Sequence, residues 1–460
     1  MNSPAHLVPK TVLARAKSAG RFPFAFGRMF FLLLLIGLLW LGPGWADHRL
    51  LYAMLAWDAL VIAIWGWDLT KRIPRPEQLT VARTWSLPPQ LNVQSKVKLE
   101  LSNAGAYGVT AWLIDDAPRE LRGEVPEISV ASKASGKRAE EYTILPAERG
   151  DAKFGNISLR CQSRWRIAER RFEAAMPQIV RIYPNLDEAK RDTLFLIRSK
   201  QIALEKRHKH QRGQGREFES LRDYREGDEW RDISWNATAR RGKLISKVHQ
   251  VERSQTVWLV LDTGRLLRAR TRGLTKLDYA VGAALSMAQV ALYSGDQVAL
   301  MAYGRRIKHR VAPGRGGGHV RVLLESLAEI RTEESEADHL RAAEMLMNTQ
   351  KRRSLVIWLT DLSETAAIPD VIESAMRLAT RHMVLFTVIG QPELRELLRV
   401  KPESAKEMYR FAAAQEVVHR RDFLMRTLRQ QGALTLEVEP ARLATSVVNH
   451  YLMTKERGLI

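Results

Sequence analysis

Two apolar runs separated by a Gly-Pro-Gly break constrain this chain more than any other feature. Met29 to Leu41 reads MFFLLLLIGLLWL, and with its apolar flank out to Ala46 it approaches the roughly 20 residues a helix needs to cross a bilayer core. Leu50 to Leu69 is a second run of the same kind. Gly42, Pro43 and Gly44 break helix between them and leave room only for a tight loop. No small-residue cleavage pattern follows the first run before the second begins, so a membrane hairpin over residues 29–69 is expected rather than a cleaved leader.

Cations orient that hairpin. Lys10, Arg15, Lys17, Arg21 and Arg28 precede it and Lys71, Arg72 and Arg75 follow it, while the loop offers only Arg49 beside Asp47. Positive charge stays on the cytoplasmic side, which places a basic N-terminus over residues 1–28 and everything after the hairpin in the cytoplasm. Trp40, Trp45, Trp57, Trp65 and Trp67 supply interfacial anchors or pack between the two helices. Asp58 lies near the middle of the second run, where an acid costs about 2.5 to 3.5 kcal/mol. It is expected to be protonated or paired across the hairpin, because two helices build no transport path.

The rest of the chain is long enough for two or three folded domains. The whole chain has 460 residues, with 72 Lys and Arg against 51 acids and a formal charge of +21. Such a surplus points to an anionic partner: lipid headgroups, nucleic acid or an acidic protein surface. Cys161 is the one cysteine, which excludes an internal disulfide and fits a reducing compartment.

From residue 74 to 185 the texture is short alternating stretches such as VKLELSN and KFGNISLR, cut by Pro88, Pro89, Gly105, Pro118 and Gly150. Period-two runs with turn residues at this spacing predict a β-sandwich, a spacer or interaction module without chemistry. Residues 186–252 form a charged linker and a signature segment. The linker run EKRHKHQRGQG holds His208 and His210 without acidic or cysteine companions, so it reads as a solvated basic stretch near lipid phosphates rather than a metal site.

Residues 253–460 alternate helices with apolar strands. TVWLVL at Thr256–Leu261, Gln297 to Tyr303, SLVIWL at Ser354–Leu359, MVLFTVI at Met383–Ile389 and Ala433 to Val438 read as strands. Between them, Leu277 to Tyr293, Val320 to Ile330 and His339 to Asn348 read as helices. The result is a doubly wound α/β sheet, whose ligands bind at the carboxyl ends of the strands, where Asp262 and Asp361 fall. Arg305, Arg306, Lys308 and Arg310 precede PGRGGGH, but without GxxxxGK[ST] this is a helix entry turn, not a phosphate loop. No GxSxG, HExxH or Cys/His nucleophile pattern appears, so no enzymatic activity is expected.

The signature segment, Gly215 to Arg240, reads GREFESLRDYREGDEWRDISWNATAR. Phe218, Leu221 and Tyr224 recur at helical spacing, Gly227 and Asp228 make a turn, and Trp230, Ile233 and Trp235 follow. Arg222, Arg225, Asp228, Arg231, Asp232 and Arg240 interleave with these. Two roles are open: an ion-paired brace in which guanidinium and carboxylate pair bidentately over packed aromatics, or a surface that recognises a partner.

This segment, followed by a hydrophobic strand ending in Asp262, resembles the signature of domain-of-unknown-function family 58, bacterial membrane proteins with a von Willebrand factor A-like domain. The resemblance extends to the layout: two membrane helices, a β-rich segment and a C-terminal α/β domain. It implies a place in the bacterial cytoplasmic membrane and a MoxR-type AAA ATPase as partner, in protein maturation or an envelope-related process; it implies no settled activity. In von Willebrand A-like domains an Asp-x-Ser-x-Ser motif, a later Thr and a second Asp hold a metal. Here Gly264 and Leu266 replace the two serines and Ala337 stands where the hydroxyl is expected. Asp262, Asp361 and Ser363 are what remains for a degenerate, hydrated Mg²⁺ site, and the competing reading has the two acids capping helices.

The expectation is therefore a membrane-anchored, non-enzymatic adaptor. Its signature residues Arg222, Tyr224, Gly227, Asp228, Arg231, Trp235 and Arg240 would be structural or partner-binding. The alternative is a charge-driven binder of nucleic acid or acidic lipid. Nucleic acid is disfavoured because no recognition helix or single-strand aromatic platform is evident.

Overall fold

The computed structural model describes residues 7–41, 48–118, 121–122, 125–186, 217–225, 230, 233–250, 255–362 and 368–457. They fall into two compact units, Met1–Asn185 and Leu186–Ile460.

The first unit is built on β1 (Val12–Ser18), β2 (Phe24–Phe26), β3 (Leu79–Trp85), β4 (Ser95–Asn103), β5 (Val109–Asp115), β6 (Leu121–Arg122) and β7 (Ile128–Ser132). The remaining strands are β8 (Gly136–Pro146), β9 (Gly150–Phe154), β10 (Ile157–Ser163), β11 (Ala168–Ala174) and β12 (Gln178–Ile182). Their order is β6-β8-β4-β3-β1-β11-β10-β5-β7, with β2 added on β11 and β12 paired to β9. Val12–Arg15 of β1 pair with β3, while Ala16–Ser18 pair with β11. One strand thus passes between two sheets whose inner faces share a core, which is how a sandwich makes a corner.

That arrangement corrects one boundary. Residues 1–28 were expected to be a basic tail, yet β1 and β2 lie within them and belong to the sandwich. The cause is visible in VLARAKS, where Val12, Ala14 and Ala16 alternate with Leu13, Arg15 and Lys17, a period-two pattern that the charge count concealed.

Between β2 and β3 the chain makes an excursion through α1 (Arg28–Leu38) and α2 (His48–Trp67), the latter running on into a π-type turn at Asp68–Arg72. One described helix, spanning Leu51–Arg72, is long and apolar enough to cross a membrane, and α1 at 11 residues is shorter than that. The two pack side by side in opposite directions: Phe30 lies beside Trp65, and Trp57 Nε1 donates to the Leu33 carbonyl at 2.8 Å. Gly37 permits this approach, since a Cβ there would stand 2.8 Å from Trp57 Cδ1 and 2.9 Å from Asp58 Oδ1. Asp58 does face the neighbouring helix, but its buried Oδ1 meets no hydrogen-bond donor among the described residues.

The second unit holds a hairpin, β13 (Glu217–Asp223) with β14 (Ile245–Gln250), enclosing the short helix α3 (Trp235–Arg241). Then come β15 (Thr256–Asp262), the two-residue strands β16 (Arg270–Thr271) and β17 (Leu274–Thr275), and α4 (Lys276–Tyr293). Next are β18 (Gln297–Tyr303), β19 (Ile307–Gly314), α5 (Gly316–Glu329), α6 (His339–Thr349), β20 (Leu355–Thr360), α7 (Ile368–Ala379) and β21 (Met383–Ile389). The chain closes with α8 (Pro392–Arg399), α9 (Ala405–Gln430), β22 (Leu434–Val438) and α10 (Leu443–Glu456). The sheet order is β19-β18-β15-β20-β21-β22, parallel apart from the edge strand β19. Strands β15, β18, β20 and β21 are buried on both faces, as their unbroken apolar runs require. The order reverses between β15 and β20, and a doubly wound sheet opens its crevice at that point. The PGRGGGH run is the entry to α5: Gly316 has φ +78°, and His319 Nε2 lies 2.7 Å from the Val298 carbonyl.

Candidate functional site

Asp262 and Asp361 end neighbouring strands at this switch point, and the sequence dictates what each one meets. The Thr275 hydroxyl and the Asp278 carboxylate form a reciprocal capping box at the start of α4. This fixes Lys276 on the first turn, facing inward. Lys276 is 0% exposed and its ammonium is ion-paired with Asp361, itself buried. Arg421 of α9, also buried, approaches Asp361 at 3.8 Å and donates to Glu437 of β22 at 3.1 Å. Arg395 of α8 reaches the same Glu437 at 3.1 Å. A chain of alternating charge therefore runs from the crevice through Lys276, Asp361, Arg421 and Glu437 to Arg395. Burial pulls the Lys276 amine below its ordinary range, and Asp361 works against that shift.

Asp262 is held differently. The Gly264 amide donates to its Oδ1 at 2.7 Å and the Thr360 hydroxyl to its Oδ2 at 2.6 Å. Burial nevertheless pushes its carboxyl up to about 6, against the pull of those two donors. The small cavity bounded by Asp262, Gly264, Leu266, Ala337 and Asp361 has a volume of ≈ 20 Å³, enough for about one water.

These residues do not fit Mg²⁺. A divalent ion needs several oxygen ligands in near-octahedral array. The Asp361 carboxylate is already neutralised by Lys276, with a second cation beside it. The Gly264 position is tight as well as lacking a hydroxyl: a Cβ there would lie 3.0 Å from the Ala337 amide and 3.1 Å from both Ala337 Cβ and Asp262 Oδ1. Of the expected set of Asp262, Asp361 and Ser363, the two acids are brought together at this crevice. Ser363 lies outside the described residues. Of the reading in which the acids accept backbone N–H groups, Asp262 does so from Gly264 at 2.7 Å, while Asp361 answers an ammonium. Lys276, Thr360 and Arg421 were missed by sequence reasoning; the signal for Lys276 was the Thr-Lys-x-Asp capping pattern, which says where the lysine is held but not what it meets.

The signature segment folds against expectation. Phe218, Leu221 and Tyr224 suggested a helix, but Glu217–Asp223 is strand, with a bulge between Phe218 and Ser220. An inserted residue converts a period of two into a spacing of three, which is what imitated a helical repeat. After the strand, the Tyr224 amide bonds the Leu244 carbonyl at 2.9 Å, Ile233 bridges to Ser246, and Gly242 ends α3 in the left-handed region at φ +66°. Trp230 is 70% exposed and Trp235 62%; Tyr224 lies against Trp230 with ring centroids 6.5 Å apart. Arg240 is exposed on the same short helix, and Arg222 is half-buried beside the Asp223 carbonyl. Gly227, Asp228, Arg231 and Asp232 lie outside the described residues.

No curated protein matches the chain. Among solved structures it is similar to the VWA domain of SpRpn10, at 11% identity over 43% of this chain and 95% of that one, TM-score 0.27. It is similar to the conserved hypothetical protein BatB from Bacteroides thetaiotaomicron, at 14% identity over 44% and 100%, TM-score 0.29. It is also similar to an uncharacterized membrane spanning protein from Vibrio fischeri, at 11% identity over 43% and 97%, TM-score 0.16. Residues 220–432, from the signature hairpin through most of the α/β sheet, match the model for the protein of unknown function DUF58.

Proposed function

We propose that the protein is a membrane-anchored, non-enzymatic adaptor whose signature hairpin docks a protein partner. The observation that carries this reading is the exposure of Trp230 and Trp235. Large aromatics held in water have a free-energy cost that burial against a partner removes, and Trp and Arg dominate the energetics of protein interfaces. The crevice supports the same reading from the other side: Asp361 is spent on Lys276 and Arg421, and a lysine locked on Asp361 is not poised for proton transfer. The resemblance to family 58 suggests the partner class, a MoxR-type AAA ATPase. Capture of the full chain from detergent-solubilised membranes should enrich such an ATPase, and Trp235→Ala should lower the yield at least tenfold while leaving the fold unchanged. Equal recovery of the ATPase with wild type and with a chain lacking residues 215–250 would sink the docking assignment.

Sheet parity supports a two-pass anchor. Strand β1 before the helices and β3 after them pair with each other, Val12 opposite Arg83 and Arg15 opposite Thr80. Whatever leaves this sheet must return to it, so the excursion crosses a membrane twice or not at all. Helix α2 is long enough for one crossing. The return belongs to the run from Met29 to Ala46, and the flanking cations put both termini in the cytoplasm. A reporter fused after Ile460 should be active in the cytoplasm; periplasmic activity would overturn the topology.

A further inference from the structure

The point where the two helices leave the sandwich is a built collar. Asp68, fully buried at the end of α2, accepts from the Ser163 hydroxyl at 2.5 Å and the Ala168 amide at 3.0 Å, on either side of the turn between β10 and β11. The start of α1 binds the same turn: the Gly27 amide donates to the Ile167 carbonyl at 2.7 Å and the Met29 amide to the Arg166 carbonyl at 3.2 Å. Gly27 is required there, because a Cβ would fall 2.1 Å from that Arg166 oxygen. No flexible linker separates helices from sandwich, so a bilayer holding α2 must touch this turn.

Its chemistry suits a headgroup layer. Arg72 stacks over Trp165 at 3.4 Å and faces Trp67 at 5.0 Å and Tyr107 at 5.8 Å, while its buried Nε has no hydrogen-bond partner among the described residues. Lys71, Arg164 and Arg166 are exposed around it. Nearby, Phe24 and Phe26 flank Trp65, whose Nε1 reaches the Ala25 carbonyl at 3.3 Å. The acid of the collar, Asp68, spends Oδ2 on Ser163 and Ala168, and its buried Oδ1 has no hydrogen-bond partner among the described residues. Exposed aromatics beside unspent guanidinium groups, level with the end of an apolar helix, combine the two devices by which proteins sit at a membrane interface.

We propose that this collar is a binding site for the phosphate of anionic phospholipid, with Arg72 held edge-on by its aromatic cage and Lys71, Arg164 and Arg166 supplying further charge. The proposal rests on the anchor reading. Its test uses the full chain reconstituted in phosphatidylcholine bilayers with and without phosphatidylglycerol. Lipid retained on the protein is measured by native mass spectrometry, and a nitroxide at Leu55→Cys reports whether α2 lies in hydrocarbon. The buried Cys161, its thiol pushed up to about 12 by burial, stays unlabelled. Wild type should retain phosphatidylglycerol in preference to phosphatidylcholine, and the surface variants Lys71→Gln and Arg164→Gln should each cut that preference about five-fold. Arg72→Lys, which keeps the charge but loses the planar stack, should cut it further. A label in hydrocarbon with no lipid preference, or with a preference unmoved by all three variants, overturns the collar and leaves the anchor standing. A label in water overturns the anchor, and the collar with it.

Discussion

Replacing Lys276 by methionine should destabilise the α/β unit by about 3 to 5 kcal/mol, because it takes from the buried Asp361 carboxylate its nearest cation and leaves Arg421 farther off at 3.8 Å. Asp361→Leu should cost a similar amount by stranding the lysine. The double variant should recover most of the loss, since a buried pair exchanged for apolar residues of like volume is often neutral. Amide exchange of β15 and β20 in the intact protein is the appropriate measure, as it isolates this unit from the sandwich. Two additive losses would show that the pair does not interact as described. The same exchange should be indifferent to Mg²⁺, whereas a true site would add about 2.7 kcal/mol at a hundredfold excess over Kd. A large magnesium effect abolished by Asp361→Ala would refute the assignment of Lys276 as the resident cation. Asp262 behaves oppositely. Its carboxyl is pushed up to about 6, above the ordinary value of about 3.9, so its contribution is fully present below pH about 4 and is lost as pH rises through 6. Asp262→Asn keeps an acceptor for Gly264 and a partner for Thr360, and should therefore be close to neutral at pH 4 and stabilising at pH 7.

What could be read from the sequence is what depends on one element at a time. The apolar strands ending at Asp262 and before Asp361 carry their burial in their composition, and their alternation with helices fixes a doubly wound sheet and the end at which its crevice opens. The missing hydroxyls at Gly264, Leu266 and Ala337 were equally legible, because absence of an oxygen is a property of the residue. The lysine that neutralises Asp361 was not, since Lys276 and Asp361 lie 85 positions apart and meet only after α4 packs on the sheet. The signature hairpin was misread for a local reason: a bulge gave β13 a helical spacing. Residues 12–18 were misassigned because their basic side chains, all on one face of a strand, were counted as a tail.

The sandwich hides a second buried ion pair, and its removal is the other large effect we expect. Leu79, Val81, Arg83 and Trp85 occupy the inward face of β3, so strand alternation carries an arginine into the core, where it is 0% exposed. The fold accommodates it fully. Arg83 is bidentate with Asp115, with Nε at 2.9 Å from Oδ2 and a second, shorter bond from Nη2, and it donates to the carbonyls of Met176 at 3.0 Å and Gly155 at 3.1 Å. Tyr142 adds a hydroxyl donor to Asp115 at 2.7 Å, and burial beside that carboxylate raises the phenol well above its ordinary range. The Phe154 ring lies 5.2 Å from the guanidinium. Asp115→Ala leaves a buried guanidinium with only neutral acceptors among the described residues and should cost about 3 to 5 kcal/mol; Arg83→Met leaves a carboxylate with only Tyr142 among them and should cost as much. Tyr142→Phe removes one hydrogen bond to a charged group, worth about 1.5 to 3 kcal/mol. Because β3 pairs with β1 and directly follows the helical excursion, failure here should loosen the base of the hairpin as well as the sandwich. The check is amide exchange across β1, β3 and β5 in the three variants, with β15 as an internal control. Arg83→Lys is the decisive comparison: it keeps the charge but cannot form the fork or reach both carbonyls. It should recover less than half of the loss seen with Arg83→Met, and full recovery would mean that charge alone, rather than this geometry, holds the strands together.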